Sequence, residues 1–246
     1  MHNAALLARP EVANICDAEQ VLQALRATPL LHDLGCPVMQ RLAVISTILN
    51  AAEDVELYQQ GEPADQLFIV LDGQLVGLST SANGTTAVVE VIRRGETLGL
   101  ATLLARLPRP FGVRTVTPCR LLSIDADGLL GLVEQEPSLV TVLLRAEANE
   151  FRALVRQVCD LKLRTTAQRL GCYLLSLSKE QQANTTAMKL PFDKRLLAAR
   201  LGCRQENLSR AFAALRGFGV ETHGARVILH DIAKLRAYAE PDEAFA

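Results

Sequence analysis

Three things are missing from this 246-residue chain, and each absence removes a class of protein. No Cys-x-x-Cys pair occurs. Cys16, Cys36, Cys119, Cys159, Cys172 and Cys203 stand far apart, so the spacing of zinc and redox motifs is not met. The thiols read instead as small buried apolar residues. No apolar run approaches the ~20 residues that cross a bilayer. The opening segment MHNAALLARPEVANICDAEQ carries acids early and only a brief apolar piece, a poor match to a secretory leader. A cytoplasmic location without a membrane partner is expected. Finally, no histidine falls between residues 55 and 125. The β-rich stretch there cannot assemble the His-and-carboxylate metal site of a cupin-like enzyme, and the chain is not expected to be an enzyme.

What is present is a foldable and unevenly charged polypeptide. Hydrophobic residues make up 49% and charged residues 22%, the balance of a chain that builds cores rather than staying disordered. Its net charge is only −1, but residues 189–236 hold ten Lys or Arg against four acids. A basic C-terminal segment on an acidic body is the footprint expected of nucleic-acid binding.

The texture changes along the chain. Residues 18–50 carry apolar residues at three and four spacing and read as helical. From Val55, short β-rich runs are divided by Gln-Gly, Asp-Gly, Asn-Gly and Arg-Gly turns, and FGVRTVTPCRLLSID adds two strands around Pro118. Together they predict a small antiparallel roll of roughly eight strands. Pro137 opens a helix that runs to Leu163 without Gly or Pro. On it Val140, Leu144, Phe151, Leu154, Val158 and Leu161 form a seven-residue alternation, broken by Glu147 at one seam position. This stripe is read as a subunit interface. Thr165 or Thr166 caps the next helix. KEQQANTTAMK reads as a polar loop, and Asp193 is placed to cap KRLLAARLG, which Gly202 closes. VETHGARVILHD looks like a β-wing, and IAKLRAYAE a last helical turn or two.

Within RQENLSRAFAALR, Leu208, Ala211, Phe212 and Leu215 form one apolar stripe. Glu206, Ser209 and Arg210 share a different face near the helix N-terminus. A major groove admits one helix, whose first residues meet base edges. Arg pairs with guanine O6 and N7, Glu accepts from cytosine N4–H, and Ser does either.

At this point the chain resembles the CRP/FNR family of bacterial transcription regulators, from about Leu30 to Tyr238. The glycines of QQGEPADQLFIVLDGQL and RRGETLGL match the family's β-roll, and LAARLGCRQENLSRAF matches its helix-turn-helix. Glu206, Ser209 and Arg210 occupy the Glu-x-x-Ser-Arg positions of the FNR-like branch, where they read half-sites resembling TTGAT. Arg204 and Gln205 flank them. The resemblance implies an α+β protein with three parts. These are a sensory, cyclic-nucleotide-binding-like jelly roll with N-terminal helices (1–136), a dimerisation helix (137–163) and a winged helix-turn-helix domain (164–246). It also implies a homodimer on double-stranded DNA, with RNA polymerase as a further partner. An adaptor that binds only protein would not need the basic Glu-x-x-Ser-Arg helix.

The resemblance also locates an effector pocket, at Leu100 and Arg109. The family's ribose-binding Glu is here Leu100, and Pro110 replaces the hydroxyl residue beside the phosphate-binding Arg. Leu100 cannot bond a sugar hydroxyl, and Pro110 offers neither a side-chain donor nor a backbone N–H; both argue against cyclic AMP. Arg109 is read as facing solvent in a Pro-bounded turn, with binding of another anion as the alternative. Only Cys16 precedes Cys36, which argues against an FNR-type iron–sulfur cluster with its grouped thiolates. Haem in a gas-sensing regulator stays open, with His2 and His32 as the sensory-side ligands.

Overall fold

The computed structural model describes residues 12–15, 17–84, 86–178, 185–190, 194–224 and 226–241. Two compact units divide the chain at Glu150 and Phe151. His2, Cys16 and Asp193, among the residues singled out above, lie outside the described residues.

The N-terminal unit is an antiparallel roll of two sheets. One holds β1 (Val12–Ile15), β2 (Ser46–Ala51), β9 (Cys119–Asp125), β4 (Gln66–Asp72) and β7 (Thr97–Leu98), in that spatial order. The other holds β3 (Glu56–Tyr58), β8 (Gly112–Thr115), β5 (Gln74–Thr80) and β6 (Thr86–Arg93). Leu49, Phe68, Val70, Leu75, Ile92, Val113 and Leu121 pack within the roll. Ile48, Leu67, Ile69, Leu122 and Ile124 form a second core with the helices. The first sheet is thus buried on both faces, and its strands are nearly continuous in apolar residues, as that burial requires.

This arrangement corrects the helical reading of residues 18–50. α1 (Ala18–Ala27) is capped by Asp17, whose carboxylate accepts from the Glu19 and Gln20 amides. A 3₁₀ turn spans Pro29–Leu31, and α2 (Cys36–Val44) stops at Val44. After Ile45 the six residues of β2 follow, paired with β9 through Ile48↔Leu122 and Leu49↔Leu121. Consecutive apolar residues satisfy a helix pattern as readily as a doubly buried strand, and here pairing with β9 decides. The short α3 (Leu100–Leu104) and α4 (Ala126–Val133, capped by Asp125) complete the cover.

α5 (Pro137–Leu163) is a single 27-residue helix. Its first turns bury Leu139, Val142 and Leu143 in the helix-side core, while Leu144, Phe151, Leu154, Val158 and Leu161 are exposed. In the C-terminal unit α6 (Thr166–Ser178) starts with a reciprocal cap. The Thr165 hydroxyl accepts from the Gln168 amide, and Gln168 Oε1 accepts from the Thr165 amide. β10 (Thr186–Lys189), β12 (Arg226–Leu229) and β11 (Val220–His223) make a three-stranded antiparallel sheet. The end of the segment read as a polar loop is therefore a strand, held by a partner some forty residues later in the chain. α7 (Lys194–Arg200), α8 (Gln205–Leu215) and α9 (Ile232–Ala239) complete the unit. Among the described residues, no helix is long and apolar enough to cross a membrane.

Candidate nucleic-acid interface

α7 and α8 meet at a turn whose backbone favours glycine. Gly202 has φ +61°, in the left-handed region, and a Cβ there would lie 2.6 Å from Leu161 Cδ2. The left-handed φ is what favours glycine here, and a Cβ would also have to displace the Leu161 methyl group. The turn is closed by the Gly202 amide donating to Ala199 O and the Cys203 amide donating to Ala198 O, each at 2.9 Å. From α6, Arg169 donates to the Leu201 and Arg164 carbonyls, at 3.0 and 2.8 Å. It clasps the turn from behind, a positioning role that sequence pattern did not indicate.

Leu208, Ala211, Phe212 and Leu215 are all buried, and Arg204, Gln205, Glu206, Ser209 and Arg210 are all exposed. Arg204 is the N-cap residue in extended conformation, and its side chain makes no cap hydrogen bond. The first-turn amides of α8 therefore have no side-chain acceptor at the cap and, with the helix dipole, favour an anion there. Asn207 is exposed in the same turn. The sequence reading passed over it, although an Asn amide is suited to adenine N6 and N7. Around this face Arg195, Arg216 and Arg226 are exposed, whereas Arg200 lies 5.6 Å from the Tyr173 ring centroid. The helices behind it are tightly packed: a Cβ on Gly171 of α6 would approach Ala239 Cβ of α9 to 2.9 Å. Phe218 stacks on Tyr238, with centroids 3.9 Å apart.

The effector residues are arranged otherwise than expected. Arg109 does not face solvent: its side chain is 2% exposed. The Pro63–Pro108 bridge and the bonds Arg109 N to Glu62 O and Gly61 N to Arg109 O, both 2.8 Å, turn this segment inward. Inside, Nη2 donates to Gln66 O at 2.9 Å and lies 3.7 Å from Asp65 Oδ1. The guanidinium carbon stands 3.8 Å from the Tyr58 ring centroid, a close cation–π contact. Nη1 has no hydrogen-bond partner among the described residues, and it approaches Gly99 so closely that a Cβ there would lie 2.6 Å away. Burial pushes the Tyr58 hydroxyl up to about 12, against the opposing pull of Arg109's charge and hydrogen bond. Leu100 is buried too, but in the helix-side core with Leu25, Leu42 and Ile69. It is not among the residues that line the roll beside Tyr58.

His32 stands on the surface, with Nδ1 on the Pro29 carbonyl and Nε2 3.0 Å from Asp33. Among the described residues, no group of three or more His, Cys, Asp or Glu side chains is placed to hold a metal ion.

Comparison with known proteins agrees with this architecture. Residues 49–136 match the cyclic nucleotide-binding domain and residues 168–238 the Crp-like helix-turn-helix domain. The chain is similar to a CRP-like cAMP-activated global transcriptional regulator of Mycobacterium tuberculosis, 23% identical over 73% of this chain and 82% of that one. Among solved structures it resembles one described as a cyclic nucleotide binding protein from Ruegeria pomeroyi, 32% identical, with a TM-score of 0.62 over 92% of this chain and all of that one. FixK2 from Bradyrhizobium japonicum shares the fold, with a TM-score of 0.67 at 19% identity over 78% of this chain and 96% of that one. With a β-roll, a long helix and a Crp-like helix-turn-helix in this order, the chain belongs to the CRP/FNR family of DNA-binding transcription regulators.

Proposed function

We propose that this protein is a homodimeric transcription regulator that reads an inverted-repeat operator through α8, without a cyclic nucleotide as its signal. The observation that carries the reading is the division of α8, which buries Leu208, Ala211, Phe212 and Leu215 and leaves Arg204, Gln205, Glu206, Ser209 and Arg210 in solvent. Glu206, Ser209 and Arg210 supply base contacts. Arg195, Arg204 and Arg216 contact phosphates, which position the protein without reading sequence. The functional regions are the roll (1–136), the dimer helix (137–163) and the winged helix-turn-helix (164–246).

The dimer reading rests on α5, where Phe151 is 67% exposed in line with Leu144, Leu154, Val158 and Leu161. Val140, at the head of the same stripe, is half-buried. Such a stripe is covered at ~25 cal/mol per Å² when a second copy packs along it. Two α8 helices related by a two-fold axis then fall about one DNA turn apart, ~34 Å. RNA polymerase is the partner through which such a regulator acts on transcription.

Against a cyclic nucleotide stand Leu100, buried in the helix-side core, and Pro110 in place of a hydroxyl residue. The guanidinium of Arg109 is already taken up by Tyr58 and the Gln66 carbonyl. The effector is of another class.

The test is titration against duplexes carrying TTGAT-like inverted repeats and their single-base variants at several salt concentrations. Arg210→Ala is expected to cost ~1–3 kcal/mol on the matched site and to relax discrimination at one base pair per half-site. Arg195→Ala is expected to weaken all duplexes evenly and flatten the salt dependence. Full discrimination by Arg210→Ala would mean that another face of α8 enters the groove.

A further inference from the structure

The wing carries a three-residue constellation that base reading leaves unused. Glu221 on β11 receives His223 Nε2 on one carboxylate oxygen at 2.8 Å and His230 Nε2 on the other at 2.7 Å. All three side chains are about half exposed or more. A carboxylate accepts only, so each imidazole presents Nε2–H to it. Each Nδ1 is thereby left as the atom that gains or loses the titrating proton. Neither Nδ1 has a protein partner among the described residues.

We propose that His223 and His230, both anchored on Glu221, form a proton-dependent phosphate-contact site in the wing. The site takes a DNA backbone oxygen at Nδ1–H when the imidazoles are protonated and repels it when they are neutral. The inference rests on the DNA-binding reading above and adds its regulation by pH. With both rings neutral the triad carries −1, and Nδ1 meets a phosphate lone pair to lone pair. One solvent proton on each Nδ1 brings the triad to +1 and turns two acceptors into donors for charge-assisted bonds to phosphate. The two hydrogen bonds, from His230 and then His223, hold Glu221 below the usual carboxylate range. The anchor therefore stays ionised whether or not the imidazoles carry a second proton.

The charged groups on adjoining elements are mostly basic. In the strand register Arg226 on β12 stands opposite His223. Arg216 opens the 3₁₀ turn before β11, and Lys234 lies in the first turn of α9. The one nearby acid, Asp231, has its carboxylate occupied by the Lys234 amide. The wing is thus a mostly basic surface in which the Glu221 carboxylate is held by the two imidazoles.

The test uses the full-length protein and a duplex of arbitrary sequence long enough for both half-sites, because phosphate contacts are blind to sequence. Between pH 8 and pH 6, the wild-type affinity is expected to rise about tenfold more than that of His223→Gln/His230→Gln. At pH 6 its log–log salt slope is expected to be steeper by about 4, roughly one for each wing imidazole of the proposed dimer. His32→Gln serves as the control and retains the wild-type response. As a second measurement, imidazole NMR titrations with and without the duplex are expected to show both wing histidines holding their protons to higher pH when DNA is bound, as linkage demands. A double variant with the wild-type pH response, or imidazole midpoints unmoved by DNA, overturns the proton-gated wing while leaving DNA binding intact. Absence of duplex binding at every pH overturns both readings at once.

Discussion

In the β-roll, Arg109 is stacked on Tyr58 and bonded to the Gln66 carbonyl, with its side chain 2% exposed. On α8, Arg204 and Arg210 stand in solvent above a buried apolar stripe. One chain therefore uses the same side chain in two opposite ways. A guanidinium drawn into a core is retained only where aromatic faces and carbonyls replace its water. One left on a helix surface keeps its donors for a ligand and contributes little to stability. The difference separates residues that hold the roll in shape from residues left to solvent, and it can be attacked from either side.

The largest effect is expected on the long helix, where neither description fits an apolar side chain in water. Leu154→Glu/Val158→Glu is expected to convert the dimer wholly to monomer in sedimentation velocity, with far weaker binding to an inverted repeat. A double variant that stays dimeric places the subunit interface elsewhere.

Next comes Arg109→Ala. It leaves the Gln66 carbonyl without its donor and empties the space beside Tyr58, and is expected to cost ~2–4 kcal/mol of roll stability. Thermal unfolding followed by circular dichroism measures it. Arg210→Ala in the same experiment is expected to stay within ~0.5 kcal/mol of wild type. Equal melting temperatures for the two variants would abolish the contrast between inner and outer arginines.

The smallest effect concerns Glu147, the polar interruption in the α5 stripe. Its Oε1 is buried without a partner among the described residues, and burial raises its carboxyl above the usual range. Glu150 is raised in the same direction by burial, then by Glu147 and Glu96. A carboxyl raised in the folded state adds stability below its unfolded pKa, and that stability is lost as pH rises through the folded value. At neutral pH the ionised Glu147 is thus a burden. Glu147→Gln is expected to raise the melting temperature at pH 7–8, by under about 1 kcal/mol, with no gain at pH 4. A gain of equal size at both pH values would assign the effect to packing rather than charge.

Features set by local chemistry were legible in the sequence. Pro137 does begin a helix that ends at Leu163, and Gly202 does close α7. The apolar periodicity of Leu208, Ala211, Phe212 and Leu215 marks the buried side of α8 without reference to any other element. What escaped was set by distant partners. β2 is a strand because β9 lies beside it, and β10 because β12 does. The inward turn of Arg109 needs Tyr58, Gln66 and the bare Cα of Gly99 together, a conjunction no linear pattern displays. The exposed residues of α8 could be named as a surface from the sequence. Arg169, whose guanidinium holds the Leu201 carbonyl, could not, since nothing in α6 marks it out from other arginines.

Gly202 joins two parts of the molecule in a way that its place in the chain conceals. The same missing Cβ permits the left-handed turn and makes room for the Leu161 methyl group at the end of α5. The corner of the helix-turn-helix and the end of the long helix therefore meet at Gly202, with a Leu161 methyl group over its Cα. A Cβ at 202 would have to displace the Leu161 methyl group, so a substitution in the turn would be felt at the end of α5 as well.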